Sequence, residues 1–164
     1  MGAKILSQFP NGSPGAISRS IDDVVVAMAN RGSGAIKFGD PVFLNNDPAG
    51  TVRGFASGDT AATFAGIAVR NPSKTPSTYG SNLAQYEQGD VTDVLVRGSI
   101  IVKLTSNTAT PAIGGKVYLV ATGDKAGQFT ATATDNIELP NARFKNSWDL
   151  PNCVEVVLTG RNTI

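Results

Sequence analysis

Thr92-Asp93-Val94-Leu95-Val96-Arg97-Gly98-Ser99-Ile100-Ile101-Val102-Lys103-Leu104 is the longest patterned run in the chain, and its period is two. One face collects Val94, Val96, Gly98, Ile100, Val102 and Leu104, and the other Asp93, Leu95, Arg97, Ser99, Ile101 and Lys103. Alternation of this kind marks a β-strand, in which successive side chains point to opposite faces. Thirteen residues is long for one strand, so Gly98 is expected at a bulge or bend where the strand turns a barrel corner.

Shorter runs of the same type lie on either side. Pro41-Val42-Phe43-Leu44, Thr51 to Phe55 and Phe64 to Arg70 precede it; Val117 to Val120, Phe129-Ala131-Ala133 alternating with threonine, and Val154 to Leu158 follow. Ile21 to Met28 carries two signals. Ser20 as a cap with Ile21, Val24, Val25 and Met28 on one face fits a helix, whereas the β-branched triplet Val24-Val25-Val26 before Asn30-Arg31-Gly32 favours a strand, the reading adopted here. The composition agrees: 15 Val and 15 Thr stand against 9 Leu and 3 Glu, with 18 Gly and 9 Pro to break helices and make turns. The expectation is a mainly β, single-domain barrel or sandwich of about seven to nine short strands spanning residues 21–164. Residues 1–20, rich in Gly, Pro and Ser, are expected to form an extended N-terminal arm carrying Ile5, Leu6, Phe9 and Ile17.

Two segments align without gaps: Phe38-Gly39-Asp40-Pro41-Val42-Phe43-Leu44 on Ile113-Gly114-Gly115-Lys116-Val117-Tyr118-Leu119. Each is followed by Ala-Gly and another apolar segment, and Gln88-Gly89-Asp90-Val91 is a third turn of the same kind. Two copies are too few for a solenoid and fit two related β units around one core. The irregular stretch 71–89, with Pro72, Pro76 and room for one helical turn around Leu83 and Tyr86, is long enough to be expected against a partner, through Tyr79, Leu83 and Tyr86.

Chemistry finds little foothold. The chain has no histidine, which removes the commonest general base, the commonest metal ligand and the Ser–His and Cys–His pairs. Asp40, Asp59, Asp90 and Asp124 each follow a glycine, where aspartate serves turns. Asn45-Asn46-Asp47 lacks the spacing of a calcium loop, and Gly32-Ser33-Gly34 lacks that of a phosphate cradle. The single cysteine, Cys153, opens an apolar run and reads as core, in a protein made in a reducing cytosol or indifferent to redox. Trp148, Phe144 and Leu150 read as core or subunit interface. No catalytic residue, cofactor or metal is expected. The 14 basic and 13 acidic residues are scattered, so no nucleic-acid footprint appears, and no apolar run approaches membrane-spanning length. The first residues lack the apolar stretch of a secretory signal.

An ordered set of stretches resembles the structural cement, or capsid decoration, proteins of tailed bacteriophages. It comprises Ala3–Ser7, Gly15–Ser20, Phe38–Leu44, Arg70–Pro76, Tyr79–Asn82, Asp93–Ile100 and Val156–Asn162, and weakens between Thr105 and Leu150. The resemblance implies a non-enzymatic virion protein on the outer surface of the capsid, present in the host cytoplasm during assembly. It would bind the expanded shell and bridge neighbouring major capsid protein subunits, with self-association as a trimer favoured over a dimer. A small-ligand or glycan-binding β-barrel is the alternative.

Overall fold

The structure is a computed structural model, which describes residues 12–18, 22–72, 85–106, 108–145 and 152–160. Among the described residues, eleven strands and one short 3-10 turn make up the regular structure. The strands are β1 (Val24–Ala29), β2 (Ile36–Lys37), β3 (Pro41–Leu44), β4 (Val52–Arg53), β5 (Phe64–Ala68), β6 (Gln85–Tyr86), β7 (Val91–Lys103), β8 (Lys116–Val120), β9 (Phe129–Thr130), β10 (Asn136–Phe144) and β11 (Cys153–Leu158). The ambiguous segment is a strand, as its β-branched triplet required. The large sheet runs β4-β3-β5-β7-β11-β10-β8-β9, with β1 added along β7.

This order is that of two five-stranded barrels sharing one strand. The first runs β1-β7-β5-β3-β4 and closes where Asn30 bridges Val52 in parallel and the Arg31 N–H donates to the Val52 carbonyl at 2.9 Å. The second runs β7-β11-β10-β8-β9 and closes where Leu104 bridges Phe129 in parallel and the Thr105 N–H donates to the Phe129 carbonyl at 2.9 Å. The aligned segments thus hold equivalent places: β3 sits between β4 and β5 as β8 sits between β9 and β10. Closing the sheets twice in this way leaves few bare edges.

The entry turns are also shared. In Lys37–Asp40 and Ala112–Gly115 the fourth N–H donates to the first carbonyl at 3.1 and 2.9 Å, with glycine third at φ 82° and 76°. Each glycine N–H then donates to a facing residue, Ala68 or Phe144, whose own N–H donates to the fourth carbonyl. Glu87–Asp90 repeats the pattern on Asn30, Ser13–Ala16 on Ile101 and Lys125–Gln128 on Val120. Only glycine takes that third position without strain, and the two-against-one pairing is a glycine bulge.

β7 belongs to both barrels, and Gly98 (φ 121°) is where it passes from one to the other. Before it, Val94 and Val96 line the first core with Val42, Val52, Ala65 and Ala68, while Leu95 joins the second. After it, Ile100, Val102 and Leu104 line the second core with Val117, Leu119, Phe129, Phe144, Val154 and Val156. The single continuous face expected from the period-two run is therefore corrected: pairing with β1 slips between Val25↔Leu95 and Val24↔Arg97, so the extra residue, Val96, shifts the alternation by one just before Gly98. Phe43, Phe64 and Ile67, on the outside of the first barrel, belong to the second core, so the two barrels pack on each other while keeping two separate cores, where the sequence suggested one.

β10 is absent from the sequence reading because Pro140 interrupts it. The proline is exposed and sits where the pairing with β8 jumps from Leu139↔Val117 to Arg143↔Lys116, a bulge that spares it a ladder hydrogen bond.

Candidate interaction surface

The residues singled out in the sequence divide sharply. Ile5, Leu6, Phe9, Tyr79 and Leu83 lie outside the described residues, as do Trp148 and Leu150. Tyr86 is fully buried, and this corrects its assignment as a contact. It is a strand residue of β6 paired with Ile36, its ring meets Phe38 edge-on at 5.4 Å, and its hydroxyl donates to the Val69 carbonyl at 2.8 Å. Burial, with the nearby Asp93 charge, pushes its phenol up to about 12. The pair β2–β6 packs against the first core, through Ile36 and Tyr86.

Ile17 stays 39% exposed. The described part of the arm docks on its own chain: Ile17 bridges Ile100, the Gly15 and Ser18 N–H groups donate to the Ile101 and Ser99 carbonyls, and the Gly15 carbonyl accepts from Arg70. The Ser18 hydroxyl donates to the buried Glu155, which is also paired with Lys145 at 3.3 Å. Gly15 is packed so closely on Phe38 and Gly39 that a Cβ there would sit 2.9 Å from both. This leaves Ile17, Val25, Val91 and Ile113 as the exposed large apolar residues among those described, at 39, 41, 57 and 77%. Val25, Ala27 and Ala29 of β1 lie opposite Leu95, Asp93 and Val91 of β7 on the outward side, so Val25 and Val91 share an apolar strip.

The carboxylates hold turns together. Asp40, Asp59 and Asp90 accept the backbone N–H of Lys37, Ala56 and Glu87 at 3.3, 2.8 and 2.8 Å. Asp59 also takes a two-pronged pair from Arg53 at 2.6 and 2.7 Å; burial alone would raise its carboxyl, but these bonds hold it below the ordinary carboxylate range. Asp47 accepts from Ala49, the Thr51 N–H and the Thr51 hydroxyl, which closes its turn and holds its carboxyl low. No cluster of three potential metal ligands occurs among the described residues. An open groove of about 390 Å³ lies between the turns at 32–34, 53–56 and 126–128. Its one aromatic, Phe55, is half-buried, meets Phe43 edge-on at 5.5 Å and lies beside Gly127. Cys153 is buried, as its apolar setting predicts.

The described framework is thus a pair of fused β-barrels in which Asp40, Asp47, Asp59 and Asp90 hold turns. The chain belongs to the family described as structural cement protein (E217 gp24/Pam3 gp6), whose sequence profile matches residues 2–159. Among solved structures it is similar to a chain of "The capsid of Myoviridae Phage XM1", at 20% identity over 96% of each chain with a TM-score of 0.72, a likeness of fold. No curated protein matches the chain.

Proposed function

We propose that this protein decorates the outside of the expanded capsid of a tailed phage and cements it by bridging neighbouring major capsid protein subunits. The match to the cement family over nearly the whole chain carries this reading. The fold is consistent with it, because two barrels that share β7 and pack on each other leave apolar side chains on the outside for contact. The mechanism is mass action: a protein that binds the assembled shell and not its dispersed subunits stabilises the shell by its own binding energy. Repetition over many equivalent positions makes modest contacts collectively large. Ile5, Leu6 and Phe9 of the arm, with Tyr79 and Leu83, are proposed to dock, together with Ile17, which is 39% exposed on the docked part of the arm.

Mixing the purified protein with matching expanded, undecorated capsids and pelleting them tests the reading. Co-sedimentation at a fixed copy number per capsomer is expected. Deleting residues 1–11, which leaves the Gly15–Ser18 pairing on β7 in place, should preserve the β spectrum and weaken decoration. Failure of the intact protein to pellet with capsids would sink the proposal, and decoration undiminished by the deletion would remove the arm from it.

A further inference from the structure

The two barrels can be compared face by face, because their entry turns align and β3 and β8 hold equivalent places. Pro41 pairs with Ile67 and Phe43 with Phe64 in the first; Lys116 pairs with Arg143 and Tyr118 with Glu138 in the second. Val42 and Val117 point into their own cores, so their neighbours along each strand point outward. In the first barrel this outer face is the contact between barrels: Phe43, Phe64 and Ile67 are fully buried against the second core. In the second barrel the matching face is Lys116, Tyr118, Glu138 and Arg143, and solvent reaches all four. The entry turns differ in the same sense. Phe38 is 7% exposed, covered by the Tyr86 ring and by the Arg70 guanidinium at 5.8 Å, while Pro14 and Gly15 press on Gly39. Its counterpart Ile113 is 77% exposed, and a Cβ on Gly114 would meet nothing within 4 Å. A face used for packing in one barrel stands open in its duplicate.

Resting on the decoration reading above, we infer that this outer face of the second barrel, centred on Ile113 and Arg143, docks a segment of the major capsid protein that carries a carboxylate beside an apolar side chain. The charges choose the partner. The Gly114 N–H donates to the Phe144 carbonyl and the Phe144 N–H to the Gly115 carbonyl, which brings Ile113 beside Lys145. Arg143 and Lys116 are paired across the same two strands, so three cations surround the exposed isoleucine. Lys116 is matched by Glu138 at 2.9 Å and Lys145 by the buried Glu155 at 3.3 Å.

Arg143 differs from both. Among the described residues it is anchored on the Pro140 and Ala142 carbonyls, at 3.3 and 2.7 Å. Those neutral groups hold the guanidinium in place without neutralising it. A guanidinium fixed in this way selects a carboxylate, which it can bind through two parallel hydrogen bonds. Ile113, and the half-buried Tyr118 ring beyond it, gain from being covered by an apolar group. Arginine, tyrosine and a large exposed aliphatic are also the side chains that anchor interfaces. The arm is close by. It runs along β7, which carries β11, then β10, then β8, so three strand spacings, about 14 Å, separate the arm's strand partner from the strand that Ile113 leads into.

The assay is pelleting of the full chain with matching expanded, undecorated capsids. If the intact protein does not bind, the decoration reading fails and this inference with it. Given binding, Ile113→Asp and Arg143→Glu should each weaken it about tenfold or more. The Ile113→Asp protein should keep the melting temperature of the intact chain and its mass in sedimentation velocity. Lys125→Glu makes the same charge change in a turn beyond the other end of β8 and should bind as the intact protein does. Raising the ionic strength should weaken the intact protein more than Arg143→Gln, because only the former has the charge pair to screen. If Ile113→Asp fails to fold, Ile113→Ser takes its place. Undiminished binding by the folded variants, or a salt response that Arg143→Gln leaves unchanged, would overturn the inference. So would a fall in melting temperature on changing Ile113, which would mean that the chain's own residues cover this face. A change of mass would put a second copy there and overturn it equally.

Discussion

Gly98 shows how much one position can decide. Its φ of 121° lies where side chains are strained, and a Cβ there would meet the Asp23 carboxylate at 2.0 Å, the same carboxylate that accepts the Ser99 N–H at 3.3 Å. Gly98→Ala should therefore cost about 2–4 kcal/mol in chemical denaturation, well above an ordinary surface change. Asn30, fully buried, is the polar counterpart of Leu104: its amide donates to the Gly34 and Glu87 carbonyls at 3.0 and 3.2 Å and its oxygen accepts the Gly32 N–H at 3.1 Å. Asn30→Leu, though it copies the other barrel, should lose about 1–3 kcal/mol, because the Gly32 N–H is left buried without a partner. Tyr86 makes an alkaline prediction. Its folded pKa, pushed up to about 12, lies above that of the unfolded phenol, so its contribution is whole below the unfolded value and is lost as pH rises toward 12. Tyr86→Phe should flatten that alkaline loss in a titration of stability against pH, and a wild-type slope in the variant would count against it.

Turns and strands carried unequal signals. The Gly-third turn leading into a strand could be read at Phe38–Asp40, Ile113–Gly115 and Gln88–Asp90, because an apolar run follows each. Its copies at Ser13–Ala16 and Lys125–Gln128 escaped, since the segments after them are short and mixed. β7 and β11 were plain from alternation, whereas Pro140 hid β10. The shift of alternation at Val96 leaves no mark in the sequence, because Val94, Leu95 and Val96 are all apolar and fit either phase. The closing bridges, Asn30–Val52 and Leu104–Phe129, join single residues far apart in sequence and leave no local pattern. Of the proposed contacts, Tyr86 was misread because a loop tyrosine looks the same whether it faces a partner or its own core. The shared turn also yields a comparison. Gly114→Ala meets no atom within 4 Å and should cost only its backbone strain, about 1 kcal/mol, whereas Gly39→Ala would press Pro14 and Gly15 at 2.8 Å and should cost more. Equal losses in paired denaturation curves would mean that the arm does not lean on that turn.

The whole molecule is a duplication in which neither half is complete alone. The first barrel needs β7 as its last strand and the second needs it as its first, while Phe43, Phe64 and Ile67 of one half fill the core of the other. Heating should accordingly give one calorimetric transition, with the measured enthalpy equal to the van 't Hoff value. Two resolved transitions would show that the barrels come apart independently. Because β7 is paired along both edges, by β1 and the arm on one side and by β5 and β11 on the other, its amides have no local opening through which to exchange. In deuterated solvent the protons of Leu95 to Val102 should be the last to be replaced, at a rate that reports global unfolding of the chain, while those of β4 and β9 are lost early. The strand that passes between the barrels would then also be the clock by which the lifetime of the folded protein is read.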